Sequence, residues 1–152
     1  VEGWEHWLAY DLTPRQGASR FMMGTPNVDG MFGLLESIRY LDALGRAHID
    51  AWTRHLSRLA IDGLADLGYT VITPQDARHY GPIVTFRVGD PADIPAASQE
   101  ATALNQHLMQ HNIRVTRHLD ACGVPHLRVS THCYNTEDEI RQIIDVVKEY
   151  RP

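Results

Sequence analysis

The sequence predicts a small α/β domain of the α+β kind, with a sheet of about four short strands and helices packed on one face. Three observations carry that expectation. Several segments repeat apolar residues at the three-and-four spacing of a helix, and short β-branched segments lie between them. Each apolar stripe also needs a second layer to bury it, and a small sheet covered on one side is the economical answer.

Residues 1–25 carry Pro14, Gly17 and Gly24 and show no sustained period, so they read as a lead-in arm; residues 26–152 read as one domain. A first helix follows Asn27, with Val28, Met31, Phe32, Leu35, Ile38 and Leu41 on one side and Gly45 as its stop. A second places Ile49, Trp52, Leu56, Leu59, Leu64 and Leu67 on a face and ends at Gly68. Tyr69–Thr73 and Pro82–Val88 are β-rich and bounded by Pro74 and by Gly89-Asp90-Pro91, so they read as strands. The helical period returns from about Pro95 to His111. Asn112–Thr116 and His126–Ser130 then read as two more strands around a loop, Arg117–Pro125. A capping box, Thr136 with Glu139 three residues on, opens a last helix whose face is Ile140, Ile143, Ile144 and Val147.

A hydrophobic content of 43% in 152 residues fits a globular chain with a core of its own. No apolar run is long enough to cross a bilayer, and the N-terminus lacks the basic start and apolar stretch of a signal peptide. The expectation is a cytoplasmic protein that does not engage the membrane. A net charge of -5 with scattered arginines argues against a nucleic-acid partner. Two cysteines, Cys122 and Cys133, do not make a disulfide framework and are expected reduced. Lys148 is the only lysine, against thirteen arginines.

Among residues that could carry chemistry, His107 and His111 stand at i and i+4 of a helix, but no carboxylate lies between them and spacing supplies no third ligand. No metal site is therefore expected. Cys122 lies near His118 and His126 in the chain and reads as a small filler before a nucleophile. Neither a serine elbow nor a glycine-rich phosphate loop occurs. What remains is anion-binding equipment: Arg128 inside a strand, Arg114 and Arg117 nearby, and Gly24-Thr25 at a helix entrance. For Arg128 two readings stand side by side, a carboxylate-binding guanidinium and a structural ion pair with a neighbour such as Asp138.

Three stretches add a resemblance. Ser19-Arg-Phe-Met-Met-Gly-Thr-Pro-Asn27, the segment from Gly33 to Gly45, and Arg128-Val-Ser130 followed by Tyr134-Asn135-Thr136 and Glu139-Ile140 are similar to segments of the class V aminotransferase-like enzymes. That group includes cysteine desulfurases, selenocysteine lyases and isopenicillin N epimerase-like proteins. The resemblance runs from about Arg20 to the C-terminus and implies the C-terminal domain of a fold-type I homodimer that uses pyridoxal phosphate (PLP). Arg128 then corresponds to the arginine that binds the α-carboxylate of an amino-acid substrate. Thr25 corresponds to the threonine reaching the PLP phosphate of the partner subunit. Asn135 and Thr136 would shape the turn into the last helix.

The Schiff-base lysine of that family has no counterpart, because Lys148 follows the capping box. The resemblance therefore implies a PLP-binding large domain upstream of Val1, with no catalytic residue in this chain and no turnover by it alone. The desulfurase cysteine loop also has no counterpart in Val115–Pro125, which favours a transferase, lyase or epimerase over a persulfide-forming enzyme. The alternative is a stand-alone binding or regulatory module that keeps the fold without catalysis. A histidine metalloenzyme would require bound zinc or iron.

Overall fold

In the computed structural model, residues 14, 16–22 and 24–150 are described, so most of the expected arm, residues 1–25, lies outside the described residues. Within it, Gly17–Phe21 forms one short 3-10 turn. The chain divides into two compact units, the first ending at Ala43 and the second beginning at Leu44.

The first unit is built on α1, Val28–Leu44. Asn27 starts it by accepting the Gly30 N–H on its side-chain oxygen at 2.9 Å, which satisfies one of the free donors of the first turn. The helix buries none of its residues. Met31, Phe32, Leu34 and Leu35 all remain exposed, although their spacing is that of a packing face.

The second unit contains α2 (Arg46–Asp66), β1 (Thr70–Val71), β2 (Ile83–Arg87), α3 (Ile94–Gln110), β3 (Thr116–Leu119), β4 (Pro125–Ser130) and α4 (Glu137–Tyr150). The four strands form one antiparallel sheet in the order β1-β2-β4-β3. Because side chains alternate along a strand, Val84 and Phe86 of β2 share a face with Leu127 and Val129 of β4. That face meets Leu56, Ile61 and Leu64 of α2, Leu104 and Leu108 of α3, and Ile140 and Val147 of α4 in one core. The helices thus cover one side of the sheet, as expected. No helix among the described residues is long and apolar enough to cross a membrane.

Two local readings change. The buried stripe of α2 runs through Thr53, Leu56, Ser57, Ala60, Ile61 and Leu64. It is rotated from the expected face, so Trp52 lies at its edge and donates its indole N–H to the Asn135 carbonyl at 3.0 Å. The third strand is Thr116–Leu119 instead of Asn112–Thr116. Asn112 takes a left-handed conformation, φ 61°, and the Ile113 N–H closes back on the Leu108 carbonyl at 3.0 Å. Those residues finish α3, and Ile113 and Val115 pack against the core before pairing begins.

α3 begins as its sequence suggests. The Asp93 carboxylate accepts the Ala96 N–H at 3.1 Å, and Pro95 occupies the first turn, where its missing donor costs nothing. Just before it, Gly89 has φ 78°, and a Cβ there would stand 2.6 Å from the Ala97 Cα. Both the conformation and the approach of α3 require glycine. Gly89→Ala is expected to lower stability by about 2–3 kcal/mol, read as a lower urea midpoint, because a backbone atom cannot rotate out of the way. A midpoint unchanged from wild type would contradict this packing.

Candidate functional site on the open face of the sheet

The alternation that sends Leu127 and Val129 into the core sends His126 and Arg128 to the opposite face, which no helix of the second unit covers. Arg128 sits on the central strand β4 between two threonines, with Thr85 of β2 and Thr116 of β3 as its register partners. Its Nη2 donates to the Thr116 hydroxyl at 3.3 Å. Its Nε is closed to solvent and has no hydrogen-bond partner among the described residues. The competing ion-pair reading does not hold, since Asp138 accepts instead from Arg141 at 3.0 Å. No carboxylate among the described residues pairs with Arg128. A half-buried guanidinium with an unmet donor and a fixed fork is suited to a carboxylate or another planar anion.

The other arginines separate by face. Arg117 pairs in register with Leu127, so it points to the helical side and donates to the Ser98 hydroxyl at 2.5 Å. Arg114 lies before β3 and is exposed. The residue that does share the face of Arg128 is Arg87, whose Nη2 donates to the Thr70 hydroxyl at 3.2 Å. His126, 5% exposed, stacks on His118 at 5.7 Å between ring centroids. Thr85, the register partner of Arg128, lines with Arg87, His118, Asp120 and His126 a cavity of about 320 Å³ on this face. The Val124 N–H above all, with that of Cys122 and the charge of His126, holds the Asp120 carboxyl below the usual range. Asp120 closes the β3–β4 hairpin by these bonds, at 2.9 and 2.8 Å. Arg87, His118 and His126 come together only through strand pairing, although the i, i+2 spacing of His126 and Arg128 already places that pair on one face.

The turn from β4 into α4 is a closed network. The His132 N–H donates to Asn135 Oδ1 at 2.8 Å, and Asn135 Nδ2 donates to Glu139 Oε2 at 3.1 Å. The capping box forms in both directions: the Thr136 N–H donates to Glu139 at 2.9 Å and the Glu139 N–H to Thr136 Oγ1 at 3.3 Å. The Thr136 N–H, then the Asn135 amide, hold the Glu139 carboxyl below its ordinary range. His55, bonded at 2.7 Å, and Arg141 do the same for Glu137.

Carboxyls lowered in the folded state contribute stability above their unfolded pKa, about 4.3, and lose it as pH falls through the folded value. The urea midpoint is therefore expected to stay level from pH 7 to about 5 and to fall below about pH 4. Glu139→Gln should lower the midpoint at neutral pH and narrow its drop on acidification. An acid drop of wild-type size in that variant would remove Glu139 as a cause.

Thr25, in the first unit, is exposed in the loop that leads to α1. Cys122 is exposed at the tip of the β3–β4 hairpin, and Cys133 is half-buried with its Sγ 3.1 Å from His132 Nδ1; both are free thiols. Lys148 is exposed in the last turn of α4, on the helical side of the sheet and not on that of Arg128.

Comparison with known proteins agrees with this layout. A probable cysteine desulfurase of Pyrococcus abyssi is 28% identical over 142 residues, covering 92% of this chain and 34% of that protein. Probable cysteine desulfurase 2 of Mycobacterium leprae is 30% identical over 129 residues, covering 82% of this chain and 30% of that protein. The apo cysteine desulfurase structure from Thermococcus onnurineus superposes with a TM-score of 0.72 at 25% identity, over 89% of this chain and 34% of that one. The chain thus spans about a third of the length of the relatives it matches. The family model for class-V aminotransferases matches residues 7–143, and with the fold and sequence likeness in agreement, the chain belongs to the class V aminotransferase family.

Proposed function

We propose that this chain is the C-terminal, substrate-closing domain of a PLP-dependent enzyme that acts on an amino acid by a transfer, lyase or epimerase reaction. Residues 26–152 would form the small domain and residues 1–25 the arm leading into it. The observation that carries the reading is Arg128: a guanidinium on the open sheet face, held by Thr116, with an Nε donor unmet and no carboxylate of the described chain beside it. PLP supplies the electron withdrawal at Cα in this family. The described residues do not make its covalent site, because the only lysine stands on the far side of the sheet. What this chain contributes is orientation. Two parallel N–H···O bonds from Arg128 to the substrate carboxylate fix the amino acid's rotation, so that its amine and Cα are presented in one geometry.

Arg87, on the same face of the sheet, adds a second guanidinium that favours an anionic substrate end. Thr25 would reach the PLP phosphate of the partner subunit in a homodimer. The cytoplasm is the proposed compartment. The test compares an amino-acid substrate with its carboxamide in the enzyme that carries this chain. The amide keeps the amine and side chain but loses the charge, and its kcat/KM is expected to be lower by about a hundredfold. Equal turnover of the two would overturn the role of Arg128, and a polypeptide with no lysine-bearing cofactor domain would favour the binding-module alternative.

A cysteine desulfurase is the second reading, favoured by the names of the relatives and by the exposure of Cys122. The short hairpin that holds Cys122 weighs against it, since Asp120 ties the turn by two backbone bonds and leaves no extended loop to carry a thiol toward a substrate. Cys122→Ala should leave the activity unchanged; loss of sulfur release in that variant would establish the second reading.

A further inference from the structure

The last turns of α3 and α4 bring together three side chains that no spacing rule connects. His107, His111 and Glu149 each offer one ligand atom, and these atoms all lie within 4.8 Å of one another. The two imidazoles stand 4.7 Å apart between ring centroids, with Tyr150 5.5 Å from His107. His107 Nε2 is closed to solvent and has no hydrogen-bond partner among the described residues. His111 Nδ1 lies 3.0 Å from the His107 carbonyl oxygen. A carbonyl can only accept, so Nδ1 carries the proton and the neutral ring keeps its lone pair on Nε2. An imidazole oriented through its other nitrogen in this way is the usual arrangement of a metal-binding histidine.

We propose that His107, His111 and Glu149 form a binding site for a divalent transition-metal ion, with zinc as the reference ion. Two imidazoles and a carboxylate are the donor set that suits zinc and its neighbours, and three protein ligands leave a position open to water. With metal bonds of about 2.0–2.1 Å, tetrahedral ligand atoms stand roughly 3.4 Å apart. Glu149 is exposed, so rotation of its side chain can bring its carboxylate in to the two imidazoles without moving the helices. The bound ion would fasten the end of α4 to the end of α3. Because the three ligands meet only in the folded chain, binding stabilises it.

The sequence spacing offers only the histidine pair; Glu149, from another helix, is the third ligand. The test is zinc titration of the purified protein by calorimetry, with thermal unfolding followed with and without zinc. The expected result is one zinc per chain and a rise in Tm. In His111→Ala and in Glu149→Gln, exposed positions where folding should survive, affinity should fall about tenfold or more and the Tm rise should vanish. Cobalt substitution should show no thiolate charge-transfer band, which separates this site from Cys122 or Cys133. Absence of zinc binding, unchanged affinity in both variants, or a thiolate band from the bound cobalt would each overturn the site.

Discussion

Arg128→Ala, in the enzyme that carries this chain, is expected to raise KM for the amino-acid substrate by about a hundredfold or more while PLP stays bound. Removing one partner of a hydrogen-bonded charge pair costs about 2–5 kcal/mol, and each 1.4 kcal/mol is about tenfold in affinity. The loss should fall on KM first, because the carboxylate is bound before and during reaction. Arg128→Lys should recover little, since an ammonium offers a point charge in place of the two parallel donors. A second comparison makes the assignment specific. With the carboxamide as substrate the wild type and Arg128→Ala should differ little, as the partner of Arg128 is already gone. Unchanged kinetics with the acid would end the proposal. A loss of equal size with the amide would show that Arg128 supports the sheet instead of the substrate. The structure argues against that outcome, because among the described residues its side-chain bond is to the Thr116 hydroxyl at 3.3 Å, on the face away from the core.

How far the sequence could be read follows from the range of the forces involved. Local signals were legible: Pro95, Asn27, Gly68 and the Thr136–Glu139 box mark helix ends through effects that span only a few residues, while the Asp93 cap emerged only in the structure. β3 was displaced because Asn112 in the left-handed region turns a β-branched segment into the finish of α3, and composition does not reveal which residue takes that conformation. The face of α2 was rotated because Trp52 has a distant partner, the Asn135 carbonyl, that holds it at the rim. The site divided the same way. Arg128 was visible from its motif, and its face from strand alternation, whereas Arg87 joined it only through the β2–β4 register. Glu149 met His107 and His111 only through the packing of two helices far apart in the chain. Pairings set by tertiary contact leave no periodic trace in the sequence.

Phe86→Ala is expected to destabilise the second unit by about 3–5 kcal/mol, the usual cost of deleting a buried phenyl ring. Phe86 has no exposed surface, lies mid-strand on β2, and pairs in register with Val71 on one side and Leu127 on the other. Tyr69 meets its ring edge-on at 5.3 Å and 76°. Sheet strands on both sides limit collapse into the vacated space, so the cost should lie toward the upper part of that range. Against a total of about 5–15 kcal/mol for a domain, much of the stability would be gone. Phe86→Leu keeps most of the volume and should cost roughly 1–1.5 kcal/mol. In urea both variants should lower the midpoint at a constant slope, and a loss below about 1 kcal/mol for the alanine would contradict the packing. The two neighbours of Phe86, Thr85 and Arg87, face the other way, onto the open face that carries Arg128. One strand therefore separates the two kinds of effect. A change inside should reduce the amount of folded protein and leave KM of the folded fraction as it was. A change at Arg128 should raise KM and leave the urea midpoint nearly unmoved, and a variant set in which both quantities moved together would show that the open face and the core are not independent.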